Sequence, residues 1–104
     1  MIDLIWTSAA FVVLETLPQA TAFGIIRHAD HLSRFPKMGV QVSSLKHKSN
    51  YRQLIFRKQY RIIYRSDDVE NCIRIVHLHN CRQKFPTVRQ LNRAFRDDGE
   101  LPLK

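Results

Sequence analysis

Apolar side chains recur along this chain in two periods, close to 3.6 in the first third and close to 2 in the middle. Ile2 to Trp6 opens as a short strand. Thr7 or Ser8 can cap the helix that follows, because a hydroxyl satisfies a free amide at a helix start. Ala10, Phe11, Val13, Leu14 and Leu17 keep helical spacing, and Pro18 stops it. A second helix is predicted over 19–34. There Ala22, Ile25, Ile26, Ala29 and Leu32 fall at i, i+3, i+4, i+7 and i+10, a continuous apolar stripe. Phe35-Pro36-Lys37-Met38-Gly39 ends it with a proline and a glycine. The two helices read as a helical hairpin lying on a sheet.

Residues 40–50 are polar and read as loop. The period then changes to 2, with strands predicted over 51–57, 60–66 and 72–79. The first two are separated only near Lys58-Gln59 and should form a hairpin. Tyr60, Ile62 and Tyr64 alternate with Arg61 and Arg65, so the tyrosines and the isoleucine should be buried and the arginines displayed. Asp67-Asp68-Val69-Glu70-Asn71 reads as a solvated turn before the third strand. After Pro86, Thr87 can cap a last helix with Val88, Leu91 and Phe95 on its apolar edge; Gly99 ends it, leaving 97–104 as a frayed tail. Arg89, Arg93 and Arg96 share another face of that helix. Trp6 and the phenylalanines are expected in the core. The order β-α-α-β-β-β-α segregates helices from a mainly antiparallel sheet, so the class is α+β in a single domain of 104 residues.

Charge sharpens this picture. Of 17 Lys/Arg and 9 Asp/Glu, residues 46–104 hold fourteen and six, so the whole net charge of +8 lies there. Residues 46–65 carry seven Lys/Arg and no acid. A rigid sheet displaying arginine suits phosphate or carboxylate, hence RNA, DNA or an acidic protein partner. The two cysteines make no disulfide framework, and Cys72 reads as a small buried hydrophobe. No apolar run approaches the ~18 residues that span a bilayer, and no basic segment precedes the apolar N-terminus; the expectation is a cytoplasmic protein with no membrane role.

Candidate chemistry gathers on the third long strand, which ends His77-Leu78-His79-Asn80-Cys81-Arg82-Gln83. His77 and His79 share a face. With Arg52, Arg61, Arg65 and Arg82 on paired strands they can form a cationic cleft suited to phosphodiester cleavage, where one group takes a proton, another gives one, and cations hold the phosphorane charge. The same histidines can equally be ordinary strand residues. His77, His79 and Cys81 have no fourth ligand at typical zinc spacing, so no metal is assigned. No phosphate-binding glycine loop, GxSxG or CxxC occurs, and no cofactor is expected.

Taken together, residues 2 to 85 resemble the RelE/ParE superfamily of toxins from bacterial type II toxin–antitoxin systems. The resemblance rests on Ile2 to Ala10, on Phe35-Pro36-Lys37-Met38-Gly39, on Tyr51-Arg52-Gln53-Leu54 followed by Tyr60 to Arg65, and on His79-Asn80-Cys81-Arg82-Gln83. It implies a strand and helical hairpin on a twisted sheet, and a cognate acidic antitoxin. The RelE branch cuts mRNA on the ribosome with sheet lysines and arginines. That would make Arg61, Arg82 and His79 catalytic, with Arg52, Arg57, Lys58, Arg65 and His77 binding RNA or another target. Leu54 stands where that branch has a second basic residue, and Phe85 follows Arg82 where it often has a tyrosine. The ParE branch, several members of which poison DNA gyrase, is favoured by the Phe-Pro-x-Met-Gly and His-x-x-Arg-Gln pieces. The resemblance thus implies a ParE-like toxin first and an mRNA endonuclease second. A non-catalytic nucleic-acid-binding domain is a third reading of the same basic sheet. Oligomeric state is left open.

Overall fold

A computed structural model describes residues 2–42 and 50–96. They form β1 (Asp3–Trp6), α1 (Ser8–Glu15), α2 (Gln19–Asp30) with a 3-10 turn (His31–Ser33), β2 (Val40–Gln41), β3 (Arg52–Phe56), β4 (Tyr60–Asp67), β5 (Cys72–Asn80) and α3 (Val88–Arg96). The five strands make one sheet in the order β1-β5-β4-β3-β2. β1 runs parallel to β5, and every other neighbour is antiparallel. The α+β class, the helical hairpin and the C-terminal helix all stand as the pattern predicted. The expected end of the last helix at Gly99 and the tail 97–104 lie outside the described residues, as do residues 43–49 of the expected loop.

The two sides of the sheet carry different layers. α1 and α2 cover one side through Ala10, Leu14, Ile25 and Ala29, packed on Leu54, Ile62, Tyr64, Ile73, Ile75 and Leu78. α3 covers part of the other through Leu91 and Ala94, packed on Tyr51, Ile63 and Val76. Tyr60, Ile62 and Tyr64 are buried while Arg61 and Arg65 are partly exposed, the register that alternation predicts. Cys72 is also buried. Each fully buried Leu or Ile contributes about 1.5–3 kcal/mol, so these two clusters supply the main driving force.

Four expectations need correction. Thr7 occupies the N-cap position of α1, but its hydroxyl makes no cap bond. Ile63 pairs with His77 and Tyr64 with Ile75, which leaves Val76 without an opposite residue, a β-bulge. The Thr7 hydroxyl donates to Ile75 O at 3.0 Å and to Val76 O at 3.3 Å, so it serves the bulge instead. Secondly, Val40–Gln41 forms a short strand inside the expected loop, because Arg52 and Gln53 on β3 offer it a ladder. Thirdly, Phe23 and Phe35 are exposed and not core. Fourthly, Asp67 is no free carboxylate: it accepts from Arg74 Nε at 2.7 Å and from the amides of Val69 and Glu70.

The segment Phe35 to Gly39 is held by β4 and β3. Gly39 N–H donates to the Tyr64 hydroxyl at 2.9 Å, and that hydroxyl donates to Pro36 O at 2.9 Å. Arg52 Nη1 donates to Gly39 O at 2.7 Å. A Cβ on residue 39 would lie 2.6 Å from Gln53 O and 2.8 Å from the Tyr64 hydroxyl, so only glycine brings the chain this close. At the far end, Thr87 and Gln90 form a reciprocal capping box, with bonds of 2.9 and 3.1 Å, that starts α3 where the sequence placed it.

Candidate functional site

Strand pairing sorts the candidate residues by face, since directly opposed residues project to the same side. Arg61 pairs with His79 on β5 and with Ile55 on β3, and Ile63 pairs with His77 and Gln53. Gln53, Ile55, Arg61, His77 and His79 therefore share the side that carries α3. Arg52 pairs with Tyr64, and Leu54 with Ile62, on the opposite side under the helical hairpin. The expected cleft is thus corrected: Arg52 does not converge with Arg61, and its guanidinium is bound to the Gly39 carbonyl. Arg65 is on the right face but four residues along β4 from Arg61, roughly 13 Å at ~3.3 Å per residue.

Arg65 belongs to the anchorage of α3. Its guanidinium lies 4.5 Å from the Phe95 ring centroid and 5.4 Å from that of Tyr51. Arg74 approaches the same Phe95 ring at 5.6 Å. The Tyr51 hydroxyl donates to Asn92 Oδ1 at 2.6 Å, and burial pushes its pKa up, which keeps it a donor. Cation–π contacts at such half-buried sites are worth about 0.5–2 kcal/mol each. These arginines hold a helix; they do not face the histidines.

The remaining group sits where β3, β4 and β5 end together. Arg61 Nη1 donates to Gln53 Oε1 at 2.9 Å, which lays the guanidinium along the sheet. His79 is only 3% exposed, and its ring packs 5.1 Å from that of Phe85. Burial, then the neighbouring Arg61 charge, lower its pKa below the ordinary histidine range, against an opposing pull from the Gln83 backbone. His77, 6.3 Å away ring to ring, is lowered chiefly by burial. It opens into a separate recess of roughly 260 Å³ with Lys84, Gln90 and Leu91 in its wall. Arg57, Lys58 and Arg82 are exposed around this end, with Cys81 N–H donating to Gln59 O at 2.8 Å to join the two turns. Among the described residues no group of three or more His, Cys, Asp or Glu assembles as a metal site.

Chemically, this arrangement offers one oriented guanidinium, a buried imidazole whose charged form is disfavoured, and exposed cations at the rim. Sequence reasoning overlooked Gln53 and Ile55 as the β3 members of this face. Only the pairing register, which alternation alone does not supply, assigns them there. Ile55 is 49% exposed beside Arg61, an apolar group on the open part of the sheet.

The two imidazoles make stability depend on pH. Unfolding returns them to about 6.5. Below that value the unfolded chain binds protons that the folded chain does not, so stability is expected to fall as pH drops from about 6.5 towards the depressed folded values. Asp67 acts in a separate, more acidic window. The Glu70 amide, then the Arg74 guanidinium, depress its pKa, so its contribution is present above the ordinary carboxylate value and lost as pH falls through the folded one. Urea midpoints measured between about pH 7 and 5 should decline for the wild type and decline less for His79→Gln. A flat wild-type profile would contradict the assignment.

No protein-family model matches the chain, and no curated protein matches it. No helix among the described residues is long and apolar enough to cross a membrane. Among solved structures, the chain is similar to one chain of the toxin–antitoxin complex RelBE2 from Mycobacterium tuberculosis, at 23% sequence identity and a TM-score of 0.64. The likeness covers 76% of this chain and 96% of that one. The protein thus shares the fold of a component of that complex, as its resemblance to RelE/ParE toxins implied.

Proposed function

We propose that this chain is the toxin of a type II toxin–antitoxin pair, held inactive by a small acidic antitoxin, and that it is ParE-like, arresting growth by binding DNA gyrase and not by cutting RNA. The toxin reading is supported by the shared fold and by the motif order from Ile2 to Gln83. The choice of mechanism is carried by one observation. Beside Arg61, the open face of β3 presents Gln53 and Ile55, an amide and a hydrocarbon, where phosphodiester cleavage calls for further cations. Among the described residues the imidazole paired with Arg61 is that of His79, which is buried and whose pKa burial lowers, so its charged, proton-donating form is disfavoured.

The competing reading, a ribosome-dependent mRNA endonuclease, draws on the direct pairing of Arg61 with His79. Both readings expect a cytoplasmic protein and a neutralising partner. The gyrase assignment itself rests on the Phe-Pro-x-Met-Gly and His-x-x-Arg-Gln pieces.

Expression of the chain alone is expected to arrest bacterial growth, and co-expression of the adjacent open reading frame to restore it. Harmless expression of folded protein at high level would count against toxicity.

A further inference from the structure

Where α3 meets β5, a recess of roughly 260 Å³ remains. Its wall is drawn from separate stretches of chain: Ala9 in α1, His77 on β5, Lys84 and Pro86 in the connection, and Leu91 and Ala94 on α3. Neither Arg61 nor His79 lines it. The bulge on β5 is what brings His77 here. It resets the register between Ile63 and Tyr64, so that Val76 and His77 both lie on the α3 face. Bulges re-aim side chains in this way. Val76 is then spent on packing against Leu91 and Ala94, while His77 lines the recess. The imidazole is half-buried, yet it makes no hydrogen bond to any described residue. Polar groups withdrawn from water are ordinarily paired, so this ring has an N–H and a lone pair to offer an incoming group.

The lining defines that group. Lys84 is exposed and has no ion-pair partner among the described residues. No Asp or Glu lines the recess, and residues 71–96 contain none at all. Gln90 is also in the wall, but its Oε1 accepts from Thr87 N–H at 2.9 Å, which leaves the amide donors and not the acceptor available. The polar side is therefore a set of donors around one fixed positive charge. His77 adds no second charge, because burial disfavours its protonated form. One cation with neutral donors suits a single negative charge better than a phosphate dianion. The other side is hydrocarbon: Leu91, Ala94, Pro86 and Ala9. Ligand pockets of about 300–1,000 Å³ hold drug-sized molecules, so this smaller recess fits a smaller one.

We propose that the recess between β5 and α3 binds a small monocarboxylate with an apolar body, its carboxylate held by Lys84 and His77 and its hydrocarbon part against Leu91 and Ala94. The site stands apart from the toxin reading, and failure of either leaves the other intact. The probe is benzoate, titrated into the full chain while NMR follows the His77 imidazole and the Leu91 and Ala94 methyl groups. Benzyl alcohol keeps the apolar body without the charge, and inorganic phosphate keeps charge without the body. Benzoate is expected to shift all three residues together, with a dissociation constant on the order of 1 mM or tighter. Both control compounds should bind at least about tenfold more weakly. Lys84→Gln removes the charge at an exposed position that leaves the fold intact, and should weaken benzoate by about tenfold. His77→Phe keeps a ring and removes the donor, and should also weaken it. Absence of shifts up to about 10 mM benzoate would overturn the proposal. So would shifts centred instead on Arg89, Arg93 and Arg96, benzyl alcohol or phosphate binding as well as benzoate, or an unchanged affinity in Lys84→Gln.

Discussion

Leu54→Lys is expected to unfold the protein, and Ile55→Lys to leave it folded. By resemblance to the nuclease branch, Leu54 marks a place for a basic residue, so a lysine there should look like a restoration. The packing says otherwise. Leu54 is 6% exposed, pairs with Ile62 and lies within the cluster covered by α1 and α2. An ammonium at that position has no carboxylate within the cluster and no water, and the lost leucine packing adds to the desolvation cost. About 4 kcal/mol or more is expected, a large share of the 5–15 kcal/mol that holds a typical domain together. Ile55 is 49% exposed on the other face, where a lysine should cost less than about 0.5 kcal/mol. Urea unfolding of the two variants checks this. A stable Leu54→Lys protein would mean that β3 is shifted by one residue, because such a slip exchanges the faces.

Gly39→Ala should be the most damaging single-methyl change. The added carbon would meet Gln53 O at 2.6 Å and the Tyr64 hydroxyl at 2.8 Å. The first of these is backbone and cannot swing aside. Relief requires β2 to part from β3, which also breaks the bonds that Gly39 makes with Tyr64 and Arg52. Overpacking of about 1–3 kcal/mol, together with about 1 kcal/mol for a weakened hydrogen bond, sets an expected loss of ~2–4 kcal/mol. Tyr64→Phe removes the hydroxyl but keeps the ring, leaving Gly39 N–H and Pro36 O to find other partners; its cost is expected to be smaller. A Gly39→Ala protein as stable as wild type would show that this segment does not sit so close to the sheet.

The order of elements was legible because each announces itself locally. The i, i+3, i+4, i+7 stripe on α2, the alternation on β4 and Thr87 before α3 needed no tertiary knowledge. What stayed hidden depends on contacts between distant segments. β2 is two residues of ladder offered by β3, with no pattern of its own. The bulge at Val76 places both Val76 and His77 on the α3 face, which strict alternation denies. Thr7 looks like a cap because nothing near it in sequence reveals the Ile75 and Val76 carbonyls it serves. For the site, His77 and His79 were correctly placed on one face, and Arg61 beside them. Arg52 and Arg65 went astray for different reasons. Arg52 has the wrong parity once β3 is paired to β4, and Arg65 is engaged with the aromatic rings of Tyr51, just before β3, and of Phe95 on α3.

The central proposal is that the chain acts through gyrase and that Arg61, the buried His79 and Arg82 are not a nuclease centre. It is tested most directly by mapping mRNA ends on translating ribosomes with wild-type protein and with Arg82→Ala, alongside a gyrase supercoiling assay on the same preparations. If the residues cut RNA, losing one charge contact to the phosphorane costs about 2–4 kcal/mol, and cleavage would fall by roughly 30- to 1,000-fold. No new mRNA ends are expected from either protein, and the wild type is expected to inhibit supercoiling. Codon-phased cuts by the wild type that vanish with Arg82→Ala, with supercoiling unaffected, would contradict it.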